Sequence, residues 1–225
     1  MGFRTHPDLF SWFYLTCKVR RMKKRMIIVG NAPLPHRRAE RIDGADFVMR
    51  FNEPSQDASV IGTRTDLLLL ATSSKAMRRW LSGPDYLNSP IVRNTPEILC
   101  PLHPAIIRRY HPQPNFLSRL RGRRADWTVA AIETFGQCGK KVSVLPAQDY
   151  LAACDALAIP EPQRRRVFPS TGFIGIWLAL RDFAAEAWEI ELCGFAWQGW
   201  KRHAWEVEQL WITRQVEEGR LTLQE

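Results

Sequence analysis

Several familiar signatures are missing from this sequence of 225 residues. It has no Walker-type phosphate loop and no G-x-G-x-x-G run, which removes the usual sequence support for ATP or a dinucleotide. No C-x-x-C pair occurs: the five cysteines (Cys17, Cys100, Cys138, Cys154, Cys193) are odd in number and scattered. That argues against a zinc site or a disulfide framework and fits reduced thiols in a cytosol. Zinc-finger spacing, an RNP-type aromatic motif and basic-zipper heptads are also absent, so no nucleic-acid partner is expected. No D-x-D pair is present to clamp a divalent ion on a diphosphate. There is no internal repeat, low-complexity tract or interdomain linker. The apolar stretch at residues 9–19 falls short of the roughly 20 residues a membrane span needs.

What is present is an ordinary globular composition, 45% hydrophobic and 24% charged, with a formal net charge of +9. A basic surface attracts anions: nucleic acid, anionic lipid or phosphorylated small molecules. Arginines cluster at 37–38, 78–79, 108–109, 119–124 and 164–166. Residues 1–25 form a unit of their own, an aromatic apolar run followed by Arg20, Arg21, Lys23, Lys24 and Arg25. The charges follow the apolar run, the reverse of a secretory signal. The segment reads either as an amphipathic element in peripheral contact with an anionic membrane or as a helix packed on the domain. Residues 26–225 read as a single domain.

From Met26 onward, short apolar runs alternate with helix-like stretches. Met26-Ile27-Ile28-Val29 reads as a buried strand closed by Gly30-Asn31, residues 46–51 as a second and residues 66–71 as a third, with a fourth near Ile98. Residues 125–138 read as a helix, 141–145 as a strand, 173–185 as a helix capped by Ser170 or Thr171, and 188–193 as another strand. A helix over about 203–218 and a strand at 220–223 complete the pattern. Such alternation predicts a mainly parallel sheet with helices on both faces. The proline-rich residues 82–122 are expected to be long loops beside the sheet.

Three features carry candidate chemistry. Gly30-Asn31 closes the first strand, at the end of an open α/β sheet where ligands bind; its ordinary reading is a structural turn. Ser170-Thr171-Gly172 opens a helix, where hydroxyls, free N–H groups and the dipole can cradle an anion; it can equally be a plain cap. His203 follows Trp197 and Trp200 and two cations, with Glu208 five residues on. A near-neutral imidazole is the usual proton acceptor for a hydroxyl, and a surface helix histidine is the alternative.

Taken together, these stretches resemble the sialyltransferase family, as a short bacterial-type member. Ile28-Val29-Gly30-Asn31, then Ile42-Asp43-Gly44-Ala45-Asp46-Phe47-Val48-Met49-Arg50-Phe51-Asn52 and Ile61-Gly62-Thr63-Arg64-Thr65, resemble its large motif. Pro169-Ser170-Thr171-Gly172-Phe173, Leu178-Ala179-Leu180 and Leu192-Cys193-Gly194-Phe195 resemble its small motif. His203 and Glu208 match the very small motif, H-x-x-x-x-E. The blocks occur in the family's order. The departures are Ala32 in place of a second glycine, a missing cysteine before the first strand, and only eight residues between Gly194 and His203, where the family has a further histidine motif.

The resemblance implies a single-domain, Rossmann-like α/β/α sandwich of GT-A-like type. It implies inverting transfer of an acidic sugar, sialic acid or Kdo, from a CMP-sugar donor to a glycan or glycolipid acceptor. His203 and Glu208 would be catalytic, with His203 the base. Gly30, Asn31, Asn52, Ser170, Thr171, Gly172 and Gly194 would hold the donor, and Lys201 or Arg202 would supply the charge of the missing histidine. No divalent metal is expected, and the location implied is cytoplasmic, at the inner face of a membrane if the basic segment binds there. Arg50 and Arg64 have a structural alternative, pairing with Asp43, Asp46 or Asp66. A non-catalytic accessory protein that keeps the nucleotide fold is the alternative function.

Overall fold

The structure is a computed structural model that describes residues 22–55, 57–73, 76–120 and 122–224. Seven strands form one sheet: β1 (Lys24–Val29), β2 (Phe47–Phe51), β3 (Leu67–Leu69), β4 (Glu97–Cys100), β5 (Lys141–Val144), β6 (Trp188–Cys193) and β7 (Thr222–Gln224). Their order is β5-β4-β3-β2-β1-β6-β7, and every pairing is parallel. The expected Rossmann-like α/β arrangement is therefore present. It has the physical basis anticipated from the apolar runs: β1 is buried on both faces, with Met26 and Ile28 in one core and Ile27 and Val29 in the other.

The connections are helical. α1 (Ala39–Asp43) joins β1 to β2, α2 (Ala58–Ile61) joins β2 to β3, and α3 (Met77–Ser82), α4 (Pro84–Leu87) and α5 (Pro90–Asn94) lead to β4. α6 (Pro104–Tyr110), α7 (Phe116–Leu120) and α8 (Thr128–Gln137) precede β5. α9 (Ala147–Ala156) and α10 (Thr171–Asp182) precede β6, and α11 (Trp205–Glu217) precedes β7. α10 lies close on the sheet because Gly175 has no side chain there: a Cβ would stand 2.5 Å from the Phe51 ring and 2.9 Å from the Met49 sulfur.

Residues 82–122 depart most from the sequence expectation. Pro96, Pro101, Pro112 and Pro114 do lie in connecting loops, but Pro84, Pro90 and Pro104 each begin a short helix. Proline is well suited to that position, since its φ is already helical and the missing N–H would have no intrahelical partner. α9 was not anticipated. β1 starts at Lys24, so the last two residues assigned to the basic segment belong to the sheet. Backbone pairing is indifferent to side-chain charge: Lys24 lies opposite Trp188 with its ammonium 5.4 Å from the ring centre. The final helix starts at Trp205 rather than 203, because the preceding residues run alongside Phe168 instead. The amphipathic reading of residues 9–19 lies outside the described residues. Among the described residues, no helix is long and apolar enough to cross a membrane.

Candidate functional site

The carboxyl ends of β1 and β6 are held together by two glycines. A Cβ on Gly30 would meet the Gly194 carbonyl oxygen at 2.1 Å, and Gly194 itself adopts φ 71° against the Gly30 and Ala32 carbonyls. Both glycines, expected to face the donor, are thus required by close approach of the two strand ends. Asn31 donates through Nδ2 to the Phe51 carbonyl at 2.9 Å, fixing the end of β1 to the end of β2. Asn52, at φ 51°, accepts the Ala71 N–H at 2.9 Å and lines the cavity described below.

The charged residues of the large-motif region are occupied by the fold. Arg50 is fully buried and donates to the Ile61 and Arg64 carbonyls at 2.6 and 3.1 Å. Burial depresses its pKa to about 10, which leaves it a cation at neutral pH. Asp43 accepts the Thr63 and Arg64 N–H groups, each at 2.9 Å, and Arg64 pairs with Asp66 at 3.0 Å. Gly62, at φ 67°, sits so close to Asp43 that a Cβ would meet its carboxylate at 2.2 Å. Arg64 is structural in the way anticipated, through Asp66; Arg50 is structural too, but through backbone carbonyls and not through an aspartate.

The small-motif turn and His203 meet across the chain. Phe168 and His203 form an isolated parallel bridge: the Phe168 N–H donates to the Arg202 carbonyl at 2.8 Å and the Ala204 N–H to the Phe168 carbonyl at 3.3 Å. The His203 Nδ1 faces that same carbonyl at 3.4 Å. A proton on Nδ1 leaves Nε2 with its lone pair free, the form a base requires. Burial lowers the His203 pKa, partly opposed by the Phe168 carbonyl, so the ring is neutral at pH 7. Trp200 and Trp205 hold the imidazole edge-on at 5.1 and 5.0 Å.

Glu208 and Ser170, read as a catalytic residue and a donor ligand, are spent on each other. Glu208 is fully buried and accepts from the Ser170 N–H at 2.7 Å and its hydroxyl at 2.6 Å. Ser170 Oγ also accepts the Phe173 N–H at 3.0 Å as the N-cap of α10. Burial raises the Glu208 carboxyl to about 7, against the opposing pull of the Ser170 bonds. Glu208 thereby ties α11 to the turn that opens α10. Gly172 packs against the Phe195 ring, 3.1 Å from where its Cβ would be. Thr171, by contrast, stays on the cavity wall.

That cavity measures about 950 Å³. Asn52, Thr171 and His203 line it together, three residues far apart in the chain. Its wall also carries Arg78, Arg123, Arg124 and His111, and no aspartate or glutamate lines it among the described residues. His111 is stacked on Phe168 at 4.5 Å, and Phe168 on Trp200 at 5.6 Å. Burial first, then the neighbouring His203 and Arg202, hold the His111 pKa down at about 4. Lys201 and Arg202, expected to supply charge, do not line the cavity; the Arg202 guanidinium lies 6.0 Å from the Trp200 ring centre. The arginines had been visible as clusters. Nothing in the sequence marked His111, since its role arises from contacts with Phe168 across the fold. Among the described residues no group of three or more metal-ligating side chains is gathered. A second cavity of about 300 Å³ near α10 contains Asp149, Arg181 and Asp182, which pair with one another.

The fold has counterparts. No family model matches the chain. A relative from Rhizobium meliloti (strain 1021), described as a urease operon 23 kDa accessory protein, is 28% identical over 207 residues, covering 87% of this chain and 90% of the relative. A mammalian sialyltransferase crystal structure superposes with a TM-score of 0.54 at 14% identity, covering 90% of this chain and 69% of the other. A mammalian sialyltransferase in complex with Gal-beta-1-3GalNAc-ortho-nitrophenol gives 0.53 at 15% identity with the same coverage. The fold is sialyltransferase-like.

Proposed function

We propose that the protein is an inverting glycosyltransferase that moves an acidic sugar of sialic acid or Kdo type from a CMP-sugar to a hydroxyl of a glycan or glycolipid. One observation supports this above the others: Asn52, Thr171 and His203 share a cavity large enough for a nucleotide sugar and free of acidic side chains among the described residues. In this reading His203 Nε2 takes the proton of the acceptor hydroxyl. The hydroxyl oxygen bonds to the anomeric carbon as the bond from that carbon to the CMP phosphate oxygen breaks. CMP leaves with the electron pair, its charge met by the N-terminus of α10 at Thr171 and by the wall arginines. Asn52 orients the nucleotide as a neutral partner. One phosphate on the leaving group requires no divalent clamp, so chelation should leave turnover intact.

The test is a donor screen with CMP-Kdo and CMP-sialic acid that reads released CMP, with His203→Ala alongside. CMP released by the wild type and not by the variant supports the assignment; equal release by both overturns His203 as base. The second reading is a non-catalytic accessory protein that keeps the cavity. It draws on the name of the Rhizobium meliloti relative and on the eight residues that separate Gly194 from His203. CMP binding without CMP release from any donor would favour it.

A further inference from the structure

α7 presents its apolar side chains to water. Phe116, Leu117 and Leu120 are 74%, 66% and 69% exposed, and none joins a hydrophobic core. A helix of five residues cannot hold itself, and this one is fixed by local bonds: Asn115 Oδ1 accepts the Ser118 N–H at 2.9 Å, and the Arg123 N–H donates to the Ser118 carbonyl at 3.0 Å. Three large apolar groups on a pinned turn form a patch of the sort that marks an interaction surface.

The chain on either side of α7 is rich in positive charge. Residues 98–125 contain six arginines and no aspartate or glutamate. Arg119, Arg123 and Arg124 have no ion pair among the described residues. A second copy of this chain would bring the same arginines against themselves in a two-fold contact, and like charge would oppose it. A surface of lipid phosphates over an acyl layer complements both features at once.

We infer that α7 docks on an anionic membrane surface, with Phe116, Leu117 and Leu120 entering the acyl boundary and Arg119, Arg123 and Arg124 meeting lipid phosphates. The segment is distinct in sequence from the basic residues 1–25, and the inference does not depend on the donor or on His203. Ser118, Gly122, Arg123 and Arg124 also line the 950 Å³ cavity, so docking brings the cavity rim to headgroup level.

Flotation of the full chain with vesicles tests this, using equal parts phosphatidylglycerol and phosphatidylcholine against phosphatidylcholine alone. The wild type should partition onto the anionic vesicles. The triple variant Phe116→Ser, Leu117→Ser, Leu120→Ser should partition at least about tenfold less. The double variant Arg123→Gln, Arg124→Gln should lose about fivefold per arginine, and less at high salt. Both should keep the wild-type melting temperature, because the altered side chains are exposed. Partitioning of both variants equal to the wild type would overturn the inference and leave membrane affinity to residues 1–25. So would wild-type indifference to anionic vesicles, or a change confined to oligomeric mass by light scattering.

Discussion

Around the loop from α2 to β3, charges of both signs are consumed by the fold: Arg50 is anchored on two backbone carbonyls, Arg64 on Asp66, and Asp43 on two backbone amides. On the cavity wall the opposite holds: Arg78, Arg123 and Arg124 have no ion pair among the described residues, and the wall offers no acid to supply one. A buried arginine that donates to two backbone carbonyls ties the fold together; exposed arginines gathered without acid are free to neutralise a ligand. The contrast separates residues that make the protein from residues that let it bind.

Substitutions can break or sharpen that contrast. The largest effect is expected at His203→Ala, a loss of about 10²–10⁴ in turnover with melting temperature and CMP affinity close to wild type. Next comes Arg50→Leu, which strands the Ile61 and Arg64 carbonyls and should cost about 2–4 kcal/mol in urea unfolding. If Arg50→Leu instead weakened CMP binding at unchanged stability, the division between the two regions would fail.

Glu208 gives a pH-dependent test of similar size. Its carboxyl rises from an ordinary 4.5 to about 7 in the folded chain, so the folded state holds the proton more tightly than the unfolded one. The stability this group contributes is full below pH 4.5 and falls by about 3 kcal/mol as pH rises to 7. Glu208→Gln should flatten that part of the stability–pH curve, as read from unfolding midpoints. The lowered His203 pKa places the acid limb of kcat/KM below pH 6.5, with activity lost as the ring protonates. The smallest effect is expected at Arg78→Gln, Arg123→Gln and Arg124→Gln, each raising the Kd for CMP about fivefold to tenfold at low salt while stability holds within about 0.5 kcal/mol.

Much of the scaffold was legible because it rests on local pattern. Apolar runs such as Met26-Ile27-Ile28-Val29 and residues 188–193 give their strands within about two residues, and a cap at Ser170 or Thr171 followed from hydroxyls ahead of an apolar run, Ser170 being the one that caps. The proline-rich residues 82–122 misled because proline both ends and begins helices, and only the surrounding packing decides which. The candidate site was half legible. His203, Thr171 and Asn52 do converge. Glu208 and Ser170 could not be seen to engage each other, nor Gly30 and Gly194 to be required by mutual contact, because each pairing joins distant parts of the chain. His111 had no signal at all: an imidazole between Tyr110 and Pro112 says nothing about the Phe168 ring it stacks on.

The sheet order has a consequence for how the molecule comes into being. β1 takes one neighbour, β2, from soon after it in the chain and the other, β6, from far downstream, with Lys24 opposite Trp188. An incomplete nascent chain therefore carries its first strand, an interior one in the finished sheet, with one side bare until residues 188–193 arrive. Such late closure slows folding and leaves an unpaired apolar edge waiting during synthesis, and the His203 imidazole is made only after the strand that closes that edge.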